Sequence, residues 1–284
     1  MTGKRFRPVP ALLATLALCA APLLAQAGTF SDWTLNGDAA LLDDGDTLRV
    51  APLGSFMSGS AWAPTQLSLL TDFSVAFSFR IHGGSGADGF TITFQSSPGG
   101  ANALGQDGGF LGYQGMGPSV AFIYDTFDNG FDTDSEPGHN TSVVADGDLA
   151  GGWGGQAVGS PIAVNGGSLR DAVLYSWIDY DVSLGHFLMY LNDVDVKPGT
   201  SVASIGSDWP PRLGDSVFVG FTSATGSLDD NHDILSFSVT AAPVPLPAAG
   251  WLLGTGLMVL TGLRRRRRAG RRDYERRDAC ASMR

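Results

Sequence analysis

Phe73-Ser-Val-Ala-Phe-Ser-Phe-Arg-Ile81 is the stretch on which the fold turns. Phe73, Val75, Phe77, Phe79 and Ile81 alternate with Ser74, Ala76, Ser78 and Arg80. Successive side chains of a strand point to opposite faces, so one apolar face in period two predicts a half-buried strand. The same row recurs in Phe90, Ile92 and Phe94, which alternate with threonines. It recurs again in Phe187, Met189 and Leu191, in Val217, Val219 and Phe221, and in Leu235, Phe237 and Val239. Clusters of Gly, Asp, Asn and Pro between the rows supply turns. Helical periodicity is nearly absent and glycine is abundant, at 39 residues. Many strands without helices predict an all-β sandwich of antiparallel sheets. Nothing repeats along the chain, which disfavours a propeller or solenoid. The glycine-rich stretch from Asp146 to Gly167 predicts a long irregular loop.

The two ends read differently from the middle. Residues 1–27 have a basic start (Lys4, Arg5, Arg7), an apolar run from Ala11 to Leu24 and a small-residue exit at Ala25-Gln-Ala27. That is the pattern of a secretory signal peptide cut after Ala27, and it predicts export across the inner membrane. Residues 28–240 form the expected sandwich. Residues 241–247 (Ala-Ala-Pro-Val-Pro-Leu-Pro) read as a stiff linker, and 248–263 carry no charge. From Pro247 the apolar segment would span roughly 25 Å at 1.5 Å per residue, enough for one C-terminal transmembrane helix across a thin bilayer. Arg264 to Arg268 follow at once, so residues 264–284 are expected to stay cytoplasmic.

Charge then sets the class of partner. Five of the 18 Lys and Arg and 25 of the 28 acids fall in residues 28–263, a net charge of about −20 for that portion. Such a surface repels a polyanion, which excludes nucleic acid as a partner. The only cysteines, Cys19 and Cys280, lie in the two end segments, so the middle is stabilised without disulfides. At that length it can bury a core sufficient for this.

Catalysis finds little support in the residues. A glycosidase uses two flanking carboxylates, and Glu136 is the sole glutamate between 28 and 240. No Gly-x-Ser-x-Gly elbow is present there. Of His82, His139, His186 and His232, His139 stands near the acids of the candidate metal segment, Asp134 and Glu136. The chain reads as non-catalytic.

Binding is better served. Asp125-Thr-Phe-Asp-Asn129 follows an apolar strand (Ser119 to Tyr124), with Asp134 and His139 beyond it. Carboxylates, amide oxygens and backbone carbonyls suit a hard cation such as calcium, and a histidine would add a ligand for a softer one. A solvated acidic loop is the plain alternative. Asp88, between Ala87 and Gly89, can accept hydrogen bonds from adjacent sugar hydroxyls, although Asp-Gly is more often a turn. Gly108-Gly109 offers a backbone of close approach. Phe127 could lay its ring on the apolar face of a sugar, with core packing as the alternative.

Five ordered blocks carry a resemblance. Ala87-Asp-Gly-Phe90, Gly108-Gly-Phe-Leu-Gly112, Val120-Ala-Phe-Ile-Tyr-Asp-Thr-Phe-Asp-Asn129, Val219-Gly-Phe-Thr-Ser-Ala-Thr-Gly-Ser-Leu228 and His232-Asp-Ile-Leu-Ser-Phe237 occur in the order seen in L-type (legume-type) lectins. The resemblance covers residues 28–240 and implies a concanavalin-like jelly roll binding glycans at a calcium-organised site. It implies Asp125, the Phe127 carbonyl, Asn129 and Asp134 as calcium ligands. It implies Asp88, the Gly109 amide and the Asn129 side chain as the sugar-binding trio, Phe127 as the stacking ring, and Gly226, Ser227 and Leu228 as the loop that touches the monosaccharide. It also implies a cis bond between Ala87 and Asp88. Plant members place a glutamate two residues before the first calcium aspartate; Ile123 stands there. A second, transition-metal ion would therefore be held weakly, with His139 as its remaining nitrogen ligand. The secretory cargo-receptor lectins share this departure.

Val244-Pro-Leu-Pro247, the apolar segment and the arginine cluster resemble a PEP-CTERM sorting signal of exopolysaccharide-producing Gram-negative bacteria, which implies an exosortase as partner. Pro-Leu-Pro replaces the usual Pro-Glu-Pro. Together these readings give an exported, calcium-dependent lectin acting on surface or matrix glycans, anchored in the inner membrane or processed toward the cell surface. A structural exopolysaccharide-matrix protein that keeps the fold without reading sugar is the alternative, and a jelly-roll glycoside hydrolase a more distant one. Association into a homo-oligomer through a flat sheet stays open.

Overall fold

The strand expected at Phe73 to Ile81 runs Phe73–His82 in the computed structural model and lies inside one antiparallel sheet. The structure describes residues 26–27, 29–130, 139–149, 160–206 and 210–241. That first sheet has the order Ala203–Ile205, His186–Asn192, Leu174–Asp181, Phe73–His82, Asn231–Ala241, Leu48–Ala51, Ala40–Leu41. Gln26–Ala27, expected at the end of the leader, pair with Ser238 and Val239 as a short extra strand. The second sheet has the order Ser160–Pro161, Asn140–Ala145, Ser119–Asp125, Gly89–Gln95, Ser216–Ala224, Ser58–Trp62, Thr34–Gly37, with Leu67–Ser68 joining Ser216–Ala224. The all-β sandwich of antiparallel sheets is therefore as expected.

Aromatic rings fill the space between the layers. Phe79 meets Phe90 and Tyr124 edge-on at centroid distances of 4.9 and 5.0 Å, and Phe77 meets Phe221 at 5.1 Å. Phe94 packs on Phe187 at 5.0 Å. Each fully buried ring of this kind contributes roughly 1.5–3 kcal/mol through its removal from water. A buried hydroxyl in this layer is satisfied: Tyr124 Oη lies 2.6 Å from Ser176 Oγ.

Two local differences from the sequence reading have physical causes. Strands Gly89–Gln95, Ser119–Asp125 and Asn140–Ala145 are buried along their whole length rather than on one face. Their outer face is covered by a loop layer whose Leu111, Tyr113 and Met116 pack with Trp62, Ala121, Ile123 and Val144. The threonines survive burial by bonding one another: Thr91 Oγ1 lies 2.7 Å from Thr93 Oγ1 and 2.8 Å from Thr222 Oγ1. Second, the row Leu235, Phe237, Val239 is broken by a register shift between Ile234 and Ser236. Such a bulge moves one residue out of the alternation. Ile234, opposite Phe79, is fully buried and Leu235 only partly.

Of the loop expected from Asp146 to Gly167, residues 150–159 lie outside the described residues, and the remainder includes Ser160–Pro161 and a 3-10 turn at Asn165–Gly167. Among the described residues no helix is long and apolar enough to cross a membrane. The chain divides into two units, Met1–Ala242 and Pro243–Arg284. Ala241, expected as the first linker residue, instead ends the last strand opposite Phe73. Residues 242–247 of the linker, the transmembrane helix expected at 248–263 and the arginine tail lie outside the described residues, as do residues 1–25 of the expected signal peptide.

Candidate functional site

Strand register brings distant residues into one row. Ser58 pairs with Ala224, Ala224 with Gly89, Gly89 with Asp125, and Asp125 with Asn140. The loops that leave the second sheet beyond this row are consequently neighbours, although their residues are far apart in sequence. Phe90 and Tyr124, one step inward, stack face to face at 4.5 Å and hold Gly89–Gln95 beside Ser119–Asp125.

Asp88 sits at the edge of the row, only 2% exposed, and the Ala87–Asp88 peptide bond is cis. Its backbone is tied on both sides: Asp88 N–H donates to the Ala224 carbonyl at 3.4 Å, and Thr126 N–H donates to the Asp88 carbonyl at 3.0 Å. Its carboxylate receives the Asn129 side-chain amide, with Nδ2 3.2 Å from Asp88 Oδ1. A Cβ added at Gly226 would lie 3.1 Å from Asp88 Oδ2. A Cβ at Gly109 would lie 2.4 Å from Asn129 Cγ, a separation that real Cβ atoms do not show. Glycine at 109 therefore lets the chain lie directly on the Asn129 amide. Asp88, Gly109, Asn129 and Gly226, spread over some 140 residues of sequence, are thus brought together.

The segment after the strand folds on itself. Phe127 N–H donates to Asp125 Oδ1 at 2.9 Å, and Asn129 Nδ2 donates to the Phe127 carbonyl at 3.2 Å. Asp125 is 3% exposed, whereas the Phe127 ring is 37% exposed, so that ring is not a core residue. Ser227 and Leu228 are exposed in the loop that follows Gly226. Asp134, the remaining expected calcium ligand, lies outside the described residues, as does Glu136.

The donors available here are a carboxylate, an amide oxygen and a peptide carbonyl within five residues. All are hard oxygens, and they fit calcium better than a softer ion. Among the described residues no group of three or more His, Cys, Asp or Glu is placed to hold a metal ion. Ile123 is 3% exposed and packed in the apolar cluster under the loop layer, so that position has no donor for a second ion. His139 Nδ1 accepts the Leu169 N–H at 2.8 Å, which leaves only Nε2 for other chemistry. Burial, then the Arg170 charge, holds its pKa below the usual imidazole value.

Beneath these loops lies a charged cluster that sequence reading missed. Arg170 forms a fork with Asp230, Nε to Oδ2 at 2.6 Å and Nη2 to Oδ1 at 2.9 Å. Asp230 Oδ1 also accepts the Gly84 N–H at 2.8 Å, and Arg170 Nη2 donates to the Gly84 carbonyl at 3.0 Å. This pair therefore anchors the loop that leads into Asp88. Arg49 makes a second fork with Asp233, whose Oδ2 also lies 2.9 Å from His82 Nε2. Burial alone would raise the Asp233 pKa, but Arg49 and His82 outweigh it and leave it lowered. His232, fully buried between the pairs, has its pKa pushed down to about 4 by desolvation. Local spacing gave no signal for these pairs, whose members lie 60 and 184 residues apart in sequence.

The legume lectin domain matches residues 28–249 of the chain. Over 229 residues the chain is 27% identical to the protein ERGIC-53 of Rattus norvegicus, covering 76% of this chain and 40% of that protein. It covers 10% and 24% of the length of two L-type lectin-domain containing receptor kinases of Arabidopsis thaliana. Among solved structures, the lectin from Bauhinia forficata in complex with GalNAc superposes with a TM-score of 0.61 at 21% identity, over 75% of this chain and 93% of that one. The VIP36 exoplasmic/lumenal domain, in its Ca2+/Man3GlcNAc-bound form, does so with a TM-score of 0.57 at 21% identity, over 77% and 87%. At such identity the structural likeness bears on the fold.

Proposed function

As the chain belongs to the legume lectin (L-type lectin) family, we propose that residues 28–240 form a non-catalytic, calcium-dependent glycan receptor whose sugar site is centred on Asp88. The observation that carries this reading is the convergence of Asp88, Gly109, Asn129 and Gly226 where the strands of the second sheet end. Asp88 accepts hydrogen bonds from sugar hydroxyls, and charge-assisted bonds of that kind are the stronger ones. The Gly109 N–H and the Asn129 amide donate to the same ring, and the exposed Phe127 covers its apolar face. Gly226, Ser227 and Leu228 supply the wall that selects the sugar.

Asp125, the Phe127 carbonyl, Asn129 and Asp134 would hold the calcium, which supplies positive charge and fixes the turn when bound. Two of those residues also face the sugar, so ion and glycan binding are coupled. We further propose that residues 1–27 direct export, and that 248–263 anchor the protein in the inner membrane of a Gram-negative bacterium with its arginines cytoplasmic. An exosortase is the proposed processing partner, and surface or matrix polysaccharide the proposed ligand. A single shallow site binds weakly, so retention on such a polymer relies on many copies engaging repeated sugars.

The test is a glycan array with wild type and Asp88→Ala, in the presence and absence of calcium. Wild type is expected to be retained only with calcium, and the variant to lose at least a hundredfold of that retention while keeping its melting temperature to within a few degrees. A calcium-stabilised protein retained on no glycan would instead identify a structural matrix component, and reducing ends released from polysaccharide would identify a hydrolase.

A further inference from the structure

We propose that Phe56 forms a second sugar subsite, taking the pyranose next to the one held at Asp88; this rests on the reading of Asp88 as the sugar site. Among the described residues only two aromatic side chains are exposed, Phe56 at 64% and Phe127 at 37%. Both belong to the same loop cluster. Phe56 lies two residues before Ser58, the first member of the row Ser58, Ala224, Gly89, Asp125, Asn140. Its N–H donates to the Gly226 carbonyl at 2.9 Å, and a Cβ on Gly226 would stand 3.1 Å from Asp88 Oδ2. One residue thus touches both Phe56 and the carboxylate at the centre of the site.

The loop that carries Phe56 is held stiffly. Leu53 N–H donates to Asn231 Oδ1, Gly54 N–H to Asp229 Oδ2 and Met57 N–H to Thr225 Oγ1, at 3.1, 2.8 and 3.0 Å. Thr225 returns two bonds, from its N–H to the Met57 carbonyl and from its hydroxyl to the Gly54 carbonyl. Within this frame Phe56 adopts φ +58°, a left-handed backbone that a bulky residue seldom takes. Strain of this kind persists where the surroundings impose it, and it gathers at binding sites. A preset aromatic face loses little freedom on binding, which favours recognition of the C–H face of a pyranose. Leu228, 36% exposed, borders the same Gly226 loop and extends the apolar rim. The occupant that fits is a further hexopyranose of the same glycan, bound through its ring face rather than through hydroxyls.

The experiment uses the full chain in calcium on an array carrying each monosaccharide beside di- and trisaccharides that end in it. Phe56→Asn removes the ring yet tolerates the left-handed backbone, so the fold is kept; Phe56→Tyr keeps the ring. Wild type and Phe56→Tyr are expected to favour the longer glycans. Phe56→Asn is expected to lose about tenfold on them, equivalent to roughly 1.4 kcal/mol, with monosaccharide retention unchanged. Equal retention of Phe56→Asn and wild type on the longer glycans overturns the subsite alone. A parallel loss on monosaccharides and longer glycans overturns it too, by showing that the residue acts through the loop. Absence of wild-type binding to every glycan overturns the Asp88 site and this subsite together.

Discussion

Asp230 and Asp233 in the charged cluster, and Asp88 and Asp125 at the candidate site, are all buried to within a few per cent. They are held by different partners. Asp230 and Asp233 accept arginine forks, while Asp88 accepts an amide and Asp125 a peptide N–H. A guanidinium satisfies lone pairs and cancels charge at once. A neutral donor fills a lone pair without cancelling charge. The first arrangement suits a scaffold; under the proposed function, Asp88 and Asp125 would instead meet a sugar hydroxyl and a cation. Buried acid alone therefore does not mark a binding site.

The largest effect that would sharpen this contrast is on stability. Arg170→Met leaves Asp230 buried without its counter-ion, and is expected to cost about 3–5 kcal/mol in denaturant unfolding. The loss should be the same with and without calcium. A loss below ~1 kcal/mol would mean that the fork is not part of the scaffold.

Next comes pH. His232 is neutral when folded, its pKa depressed from 6.5 to about 4. In that interval the unfolded chain binds the extra proton, so stability is full above about pH 6.5 and falls as pH drops toward 4. The loss amounts to roughly 3 kcal/mol from the shift. His232→Leu should flatten this part of the stability profile. An unchanged slope would assign the acid sensitivity to other groups.

Calcium removal should act on the opposite half of the comparison. At an ion concentration a hundred times its Kd, the stabilisation is about 2.7 kcal/mol, and chelation should remove it as a drop in melting temperature. Asp125→Asn should abolish that drop, and Asp233→Asn should not. Smallest is Gly109→Ala, whose methyl group displaces the Asn129 side chain. It is expected to weaken glycan retention about tenfold, near 1.4 kcal/mol, with unfolding almost unaltered. Undiminished retention would remove Gly109 from the recognition surface.

Much of the sandwich was legible because burial writes itself as alternation. Phe73, Val75, Phe77, Phe79 and Ile81 reappear as buried positions of one strand, and Val217, Val219 and Phe221 as buried positions of another. Leu235 was not legible, since the bulge that displaces it depends on pairing with Phe73–His82. The complete burial of Thr91 and Thr93 was hidden for a similar reason: the loop layer that covers them is a tertiary feature. At the site, Asp125 to Asn129 could be singled out by local spacing. Asp88 and Gly109 could be joined to them only through family resemblance, because strand register, not proximity in sequence, makes them neighbours. Phe56 left no signal, as neither its exposure nor its left-handed backbone is written in the residues around it.

The short strand Gln26–Ala27 has a consequence for the order of events. Its partners, Ser238 and Val239, are among the last residues of the sandwich to be synthesised. On the proposed reading, a peptidase cutting after Ala27 would need this backbone unpaired, so the cut would have to precede pairing with Ser238 and Val239. On that same reading, a chain whose first and last strands pair before the cut would shield its own cleavage point.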